Sequence, residues 1–222
     1  MKNYLYFCAA ALLFISCQTD PALKYPNMIA NIDPFQIGSV NASLDRTFSS
    51  QLKEVTMNVI FHPRENEVSL EFSNDMSQYQ QFWNKAARQL FKEALNRYEE
   101  DFSNKNLTTK YNKSRGVYGR VKGKFYWKTL KISSTYRSTP HFELGYRFRN
   151  DTPYFSAYQR TAKEESGANR QGISESPSYS IYFTRAQGEE LSKLFDDAFL
   201  LELIADKIPA STGSDRDEYF SQ

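Results

Sequence analysis

Apolar and polar positions alternate with a period of two through much of the chain and follow a helical period in two stretches. Val55, Met57, Val59 and Phe61 alternate with Thr56, Asn58 and Ile60. Pro63-Arg64-Glu65-Asn66 then interrupts, and Val68, Leu70 and Phe72 alternate with Ser69 and Glu71. This pattern predicts a hairpin of two half-buried strands. From Asp75 to Phe102 the apolar positions Tyr79, Phe82, Trp83, Ala86, Ala87, Leu90, Phe91, Ala94, Leu95, Tyr98 and Phe102 recur at helical spacing, which predicts one long amphipathic helix. After a polar connection, Val117, Val121, Phe125 and Trp127 fall on one side of an extended run and Arg120, Lys122 and Lys124 on the other. Beyond Lys128 the apolar parity passes to Leu130 and Ile132, a shift that predicts a one-residue bulge.

Further strands are expected at 142–148, 154–162 and 179–183, separated by turn residues and a polar loop over 164–178. Thr184-Arg185-Ala186-Gln187 has the form of a capping box and opens a second helix, which runs through Leu191, Leu194, Phe195, Ala198, Leu201 and Ile208 and stops at Pro209. This order of elements gives an α+β fold. It has a mainly antiparallel sheet of about six strands, one long helix after the first hairpin, and a C-terminal helix packed on the sheet.

The N-terminus has a different logic. Lys2 precedes an unbroken apolar and aromatic run from Tyr4 to Ile15, which is too short to cross a bilayer and ends at Ser16-Cys17. Leu13-Phe14-Ile15-Ser16-Cys17 resembles the lipobox of bacterial lipoproteins, in the looser spirochaetal form because Phe14 stands where leucine is usual. The resemblance covers only this segment. It implies that Cys17 carries diacylglycerol and becomes the first residue after cleavage, so that acyl chains hold the protein to a membrane of the bacterial cell envelope, on its periplasmic face or at the cell surface. The expected organisation is a signal peptide over 1–16, the lipidated cysteine and a proline-punctuated tether over 17–50, a single α+β domain over 51–209, and a polar tail over 210–222.

Composition removes several functions. The chain has 222 residues, with 28 Lys+Arg against 26 Asp+Glu and a net charge of +2, so a nucleic-acid binder working through phosphate contacts is not expected. Of two cysteines, Cys8 leaves with the signal peptide, which leaves Cys17 without a disulfide partner and engaged as a thioether. His62 and His141 are the only histidines, each beside a proline, and no zinc, EF-hand, P-loop, dinucleotide or nucleophile-elbow motif occurs. No catalytic residue, metal ligand or cofactor is therefore assigned. Glu67, Ser69 and Glu71 share a strand face, the one arrangement that suits paired carboxylates, and they lack an apolar surrounding that would raise a pKa.

Three surfaces remain. Tyr146, Tyr154, Tyr158, Tyr179 and Tyr182 belong to an aromatic second half suited to lining a pocket for a small apolar ligand or a glycan. Arg120, Lys122 and Lys124 form a basic face. Phe199, Leu200, Leu203 and Ile204 lie in a helix that is apolar nearly all round and would meet an envelope partner protein if half of it were exposed. The expected function is a membrane-anchored, non-enzymatic binding or interaction module, the alternatives being an envelope hydrolase acting on glycan or lipid and a structural scaffold.

Overall fold

The computed structural model describes residues 25–45, 51–108, 116–129, 134–167 and 172–207. The lipobox with Cys17, the parity change at Leu130 and Ile132, the helix stop at Pro209 and the tail all lie outside them.

Ten strands form one antiparallel sheet. They are β1 (Phe35–Asp45), β2 (Leu52–His62), β3 (Glu67–Asn74), β4 (Ser77–Asn84), β5 (Gly116–Lys122), β6 (Phe125–Thr129), β7 (Tyr136–Ser138), β8 (His141–Arg149), β9 (Thr152–Gln159) and β10 (Tyr179–Phe183). The helices are α1 (Lys85–Ser103), α2 (Arg185–Leu194) and α3 (Asp197–Lys207). The strands lie in the order β5-β8-β9-β10-β1-β2-β3-β4-β6-β7. The class is α+β with an antiparallel sheet, as expected, but the sheet holds ten strands and forms a half-barrel instead of the expected six or so.

Two of the additional strands come from segments whose pattern reads otherwise. Residues 35–45, within the stretch expected as tether, form β1, a central strand paired with β2 and β10. Its inward residues Val40, Ala42 and Leu44 are buried and alternate with Asn41, Ser43 and Asp45, but this alternation spans only six residues and follows Pro34 and Gly38. The second is Ser77–Asn84, expected as the first turns of the long helix. It is β4, with Tyr79, Gln81 and Trp83 on one face and Gln78, Gln80 and Phe82 on the other. The aromatic spacing fits both periods here. Asp75, at φ 52°, makes the tight β3–β4 turn, a conformation that Asp tolerates better than most residues.

The helix that follows begins at Asn84, whose side chain accepts a hydrogen bond from the Ala87 amide at 2.9 Å. Ala87, Phe91, Ala94, Leu95 and Tyr98 make its buried stripe. Phe91 sits edge-on to Trp83, Phe155, Phe183 and Phe195, with ring centroids 5.2–6.0 Å apart. The capping box at Thr184 and Gln187 is present. The C-terminal helix is broken, however, because Asp196 turns its carboxylate onto the amides of Ala198 and Phe199 and starts α3 afresh.

The sheet curls because one run of chain joins its two ends. β5 is bonded to β8 at one end of the order, β6 is bonded to β4 near the other, and only Gly123 and Lys124 separate them. The Phe82 amide donates to the Lys124 carbonyl at 2.9 Å and the Gly123 amide donates to the Pro140 carbonyl at 3.2 Å. A β-carbon on Gly123 would lie 2.3 Å from the Phe142 ring and 2.7 Å from the Phe82 carbonyl oxygen, so the crossing tolerates no side chain. Inside the curl, the Trp83 indole donates to Gln81, Gln81 donates to Gln159, and the Tyr179 hydroxyl donates to Gln159, linking β4 to β9 and β10.

β5 carries a bulge of its own between Val117 and Gly119. It reverses the parity expected for Val117, which is exposed, while Val121 stays half-buried and Arg120 and Lys122 face solvent.

Gly123→Ala is expected to destabilise the fold by about 2 kcal/mol or more, through overlap with backbone that cannot move aside. Urea unfolding should show a lower midpoint at an unchanged slope.

Candidate functional site

The face of the sheet turned away from α1 is polar over β2, β3, β4 and β6, and it contains a recess of about 550 Å³. Strand register builds its floor. Asn58 lies opposite Glu71, Glu71 opposite Gln80, and Gln80 opposite Tyr126. Thr56, Gln78 and Lys128 line the next row. A row of this kind follows from alternation, since Asn58, Glu71, Gln80 and Tyr126 are outward positions of four paired strands.

Gln80 Nε2 donates to Glu71 Oε1 at 2.6 Å and to Ser69 Oγ at 3.2 Å. Ser69 is fully buried, and its oxygen lies 2.8 Å from His62 Nε2. Ser69 accepts from Gln80 and keeps a second lone pair, so it donates to His62 Nε2 or accepts from it according to the imidazole tautomer. Burial lowers the His62 pKa; nearby Glu65 raises it and Lys124 lowers it further. The ring is therefore neutral at pH 7 and packs against Phe82 at 5.1 Å between centroids. Burial also raises the Glu71 carboxyl pKa, contrary to the expectation that the strand offers no such surrounding.

The triplet Glu67, Ser69 and Glu71 does lie on one face, but it does not form a pair of catalytic carboxylates. Glu67 and Glu71 lie four residues apart on β3, about 13 Å between Cα atoms, and the Glu71 carboxylate is taken up by Gln80. Glu67 is also ion-paired with Lys124. Ser69, engaged by His62 and Gln80 and fully buried, offers no free nucleophile.

The five tyrosines do not make one surface. Tyr146 is nearly buried and stacks near Tyr118. Tyr179 points to the α1 side, into a cluster with Phe72, Tyr79 and Phe125, where burial pushes its hydroxyl pKa well up. Tyr154, Tyr158 and Tyr182 lie on the opposite face, Tyr182 buried beneath Arg149 and bonded to Asp45. The aromatic rings of the second half thus pack mainly on one another, with Phe125, Trp127 and Tyr136 in near-parallel stacks.

Of the basic face, Arg120 and Lys122 stay together on β5, whereas Lys124, past the crossing, sits over the Phe82 ring beside Glu67. In α3, Leu200 and Ile204 are core residues and Phe199 and Leu203 are half-buried, while Leu201 is the exposed large apolar residue. Among the described residues no three His, Cys, Asp or Glu side chains converge to hold a metal ion, and no helix is long and apolar enough to cross a membrane.

Asn58, Gln78, Gln80 and Tyr126 in the recess are not singled out by the sequence pattern. The signal was the short alternation Gln78-Tyr79-Gln80, which becomes informative only when this segment is read as a strand.

The architecture defines an α+β half-barrel, an antiparallel sheet curled around one helix with a polar recess on its far face. A family model described as an uncharacterised Treponema protein matches residues 34–202, from the residue before β1 into α3, and the chain belongs to this family. That agrees with the spirochaetal character of the N-terminal motif. No curated protein and no solved structure matches the chain.

His62 supplies a pH signature. Its folded pKa lies below the unfolded value near 6.5, so the unfolded chain takes up the proton first and stability falls as pH drops below about 6.5. Thermal melts from pH 7.5 to 5 should show this loss, and His62→Asn should reduce it.

Proposed function

We propose that the protein is a lipid-anchored module of the bacterial cell envelope that binds a polar, oligosaccharide-class ligand in the recess over β2, β3, β4 and β6 and does no chemistry on it. The observation that carries this reading is the row Asn58, Glu71, Gln80 and Tyr126. It offers amide donors and acceptors, a carboxylate and an aromatic ring side by side on rigid strands. Hydroxyl-rich ligands need bidentate polar partners and a ring face, and both are present.

The anchor rests on the lipobox resemblance at Cys17. Two or more acyl chains would hold the protein stably to a membrane and leave the half-barrel in the aqueous compartment. Against a hydrolase stand the separate engagement of Glu67 and Glu71, the buried Ser69 and the neutral, part-buried His62. The carboxylate that remains, Glu71, has a raised pKa and a Gln80 amide fixing one oxygen, which suits hydrogen bonding to hydroxyls as well as it would suit proton transfer.

Trp127 borders the recess and reports on it. Titration of the envelope-extracted protein with neutral and N-acetylated oligosaccharides should change its fluorescence. Gln80→Ala and Glu71→Gln should each weaken binding by about tenfold. Mass spectrometry of the recovered sugar should find it intact; cleavage that Glu71→Gln abolishes would establish the hydrolase instead. Intact-mass analysis should find acyl chains on Cys17, with Cys17→Ser leaving the membrane fraction.

A further inference from the structure

The same outward face continues around the curl onto β5, β8 and β9, where its chemistry changes from amide to guanidinium. Glu143 is only 2% exposed although it points outward, because two arginines cover it. Arg120 Nε lies 3.0 Å from its Oε1, and Arg160 reaches the same oxygen with Nε at 2.7 Å and Nη2 at 2.5 Å. The arginine side chains themselves remain 58% and 50% exposed. Register explains the meeting: Arg120 is opposite Glu143, Glu143 is opposite Tyr158, and the Arg160 amide donates to the His141 carbonyl. Lys122 lies opposite His141 and completes the group. Arg120, Lys122 and Arg160 against Glu143 give a local charge of +2. On the adjoining loop, the Glu165 carboxylate is engaged by the Thr139 hydroxyl at 3.1 Å.

A carboxylate buried under two arginines contributes little net stability, since its desolvation offsets most of the attraction. What it does supply is position. Arg120 and Arg160 are pinned by one edge each, so two planar forks stand at fixed places on a strand scaffold with half or more of each side chain in water.

We propose that Arg120, Lys122 and Arg160, oriented by Glu143, form an oxyanion site that grips the sulfate, phosphate-ester or carboxylate groups of an anionic glycan chain. Tyr158 stands half-buried beside the pair, opposite Glu143. Val117 is the exposed large apolar residue of this region, and a membrane-docking face would need a band of such residues to insert. The site is separate from the recess, so Glu71→Gln leaves it intact and the two readings fail independently.

The test uses the full-length protein in neutral detergent and a sulfated heparin-type hexasaccharide, with its desulfated form, sodium sulfate and phosphatidylglycerol vesicles as comparison probes. The sulfated chain should bind, more weakly as salt rises, and the desulfated chain should not. Arg120→Lys keeps the charge but loses the fork and should weaken binding about fivefold; Arg160→Lys should do the same. Glu143→Gln is the decisive variant. It raises local charge by one, so a diffuse basic patch would bind more tightly, whereas a positioned pair binds about fivefold more weakly. Equal or tighter binding by Glu143→Gln overturns the proposal, as does equal binding of the desulfated chain. Binding to vesicles without binding to the hexasaccharide overturns it in favour of a membrane face. Should Glu143→Gln melt below the assay temperature, Arg120→Lys and Lys122→Ala, both at exposed positions, decide the matter on folded protein.

Discussion

The chain crosses from one end of its sheet to the other through Gly123 and Lys124, and the rest of the architecture is fitted to that crossing. Ten antiparallel strands twist strongly when open. Here the twist is taken up because β5 must reach β8 while its continuation β6 reaches β4, and the partner pair β7 and β8 bends in step through Thr139 and Pro140. Phe142 and Trp83, from strands at opposite ends of the order, thereby come within 5.2 Å. The curl makes a concave face wide enough for a helix, and α1 fills it with Phe91 at the centre of four aromatic contacts.

A curled sheet packed largely with interchangeable rings would tolerate several arrangements, and the polar core restricts them. Gln81 and Gln159 are fully buried and satisfy one another, Trp83, Tyr179 and the Pro177 carbonyl. Slipping β4 by one residue against β6 would carry Gln81 outward and leave Gln159 and the indole without partners inside, at about 1–3 kcal/mol for each buried group. The same register aligns Glu71 with Gln80 and Tyr126 on the other face. The hydrogen bonds that fix the core therefore also fix the recess.

Much of this was legible where the period was unambiguous: the β2–β3 hairpin, β8, β10, the Thr184 capping box and the antiparallel α+β class. It failed where two periods coincided or where neither was strong. Tyr79, Phe82, Trp83 and Ala86 satisfy helical spacing, yet the segment is a strand with Tyr79, Gln81 and Trp83 on one face, and Asn84 is the helix cap. β1 was hidden by the shortness of its alternation, which runs only from Val40 to Asp45. The recess was hidden for the same reason as β4, since Gln78 and Gln80 face one way only in a strand. The tyrosines were read by kind, but which face each one takes depends on register, and that separates Tyr179 from Tyr182 although they are three residues apart.

The bulge in β5 shows how local irregularity decides which surface a residue serves. Tyr118 is the extra residue between the Val117–Gly145 and Gly119–Leu144 pairs. Its hydroxyl donates to Asp101 at 2.7 Å, Arg97 donates to its carbonyl at 3.2 Å and stands over its ring, and burial with the Asp101 carboxylate pushes the phenol pKa far up. All three contacts are to α1, so the bulge covers the free edge of β5, which would otherwise offer unpaired backbone to another chain. It also resets the alternation by one, and beyond that reset Arg120 and Lys122 face outward, in register with Glu143 and His141. The Tyr118 contacts to α1 and the sharing of the outer face by Val117 and Arg120 are thus two consequences of one inserted residue. A regular strand with Arg120 outward would keep Val117 in the core, as the simple pattern expects; the inserted residue is what brings Val117 onto the outer face beside Arg120.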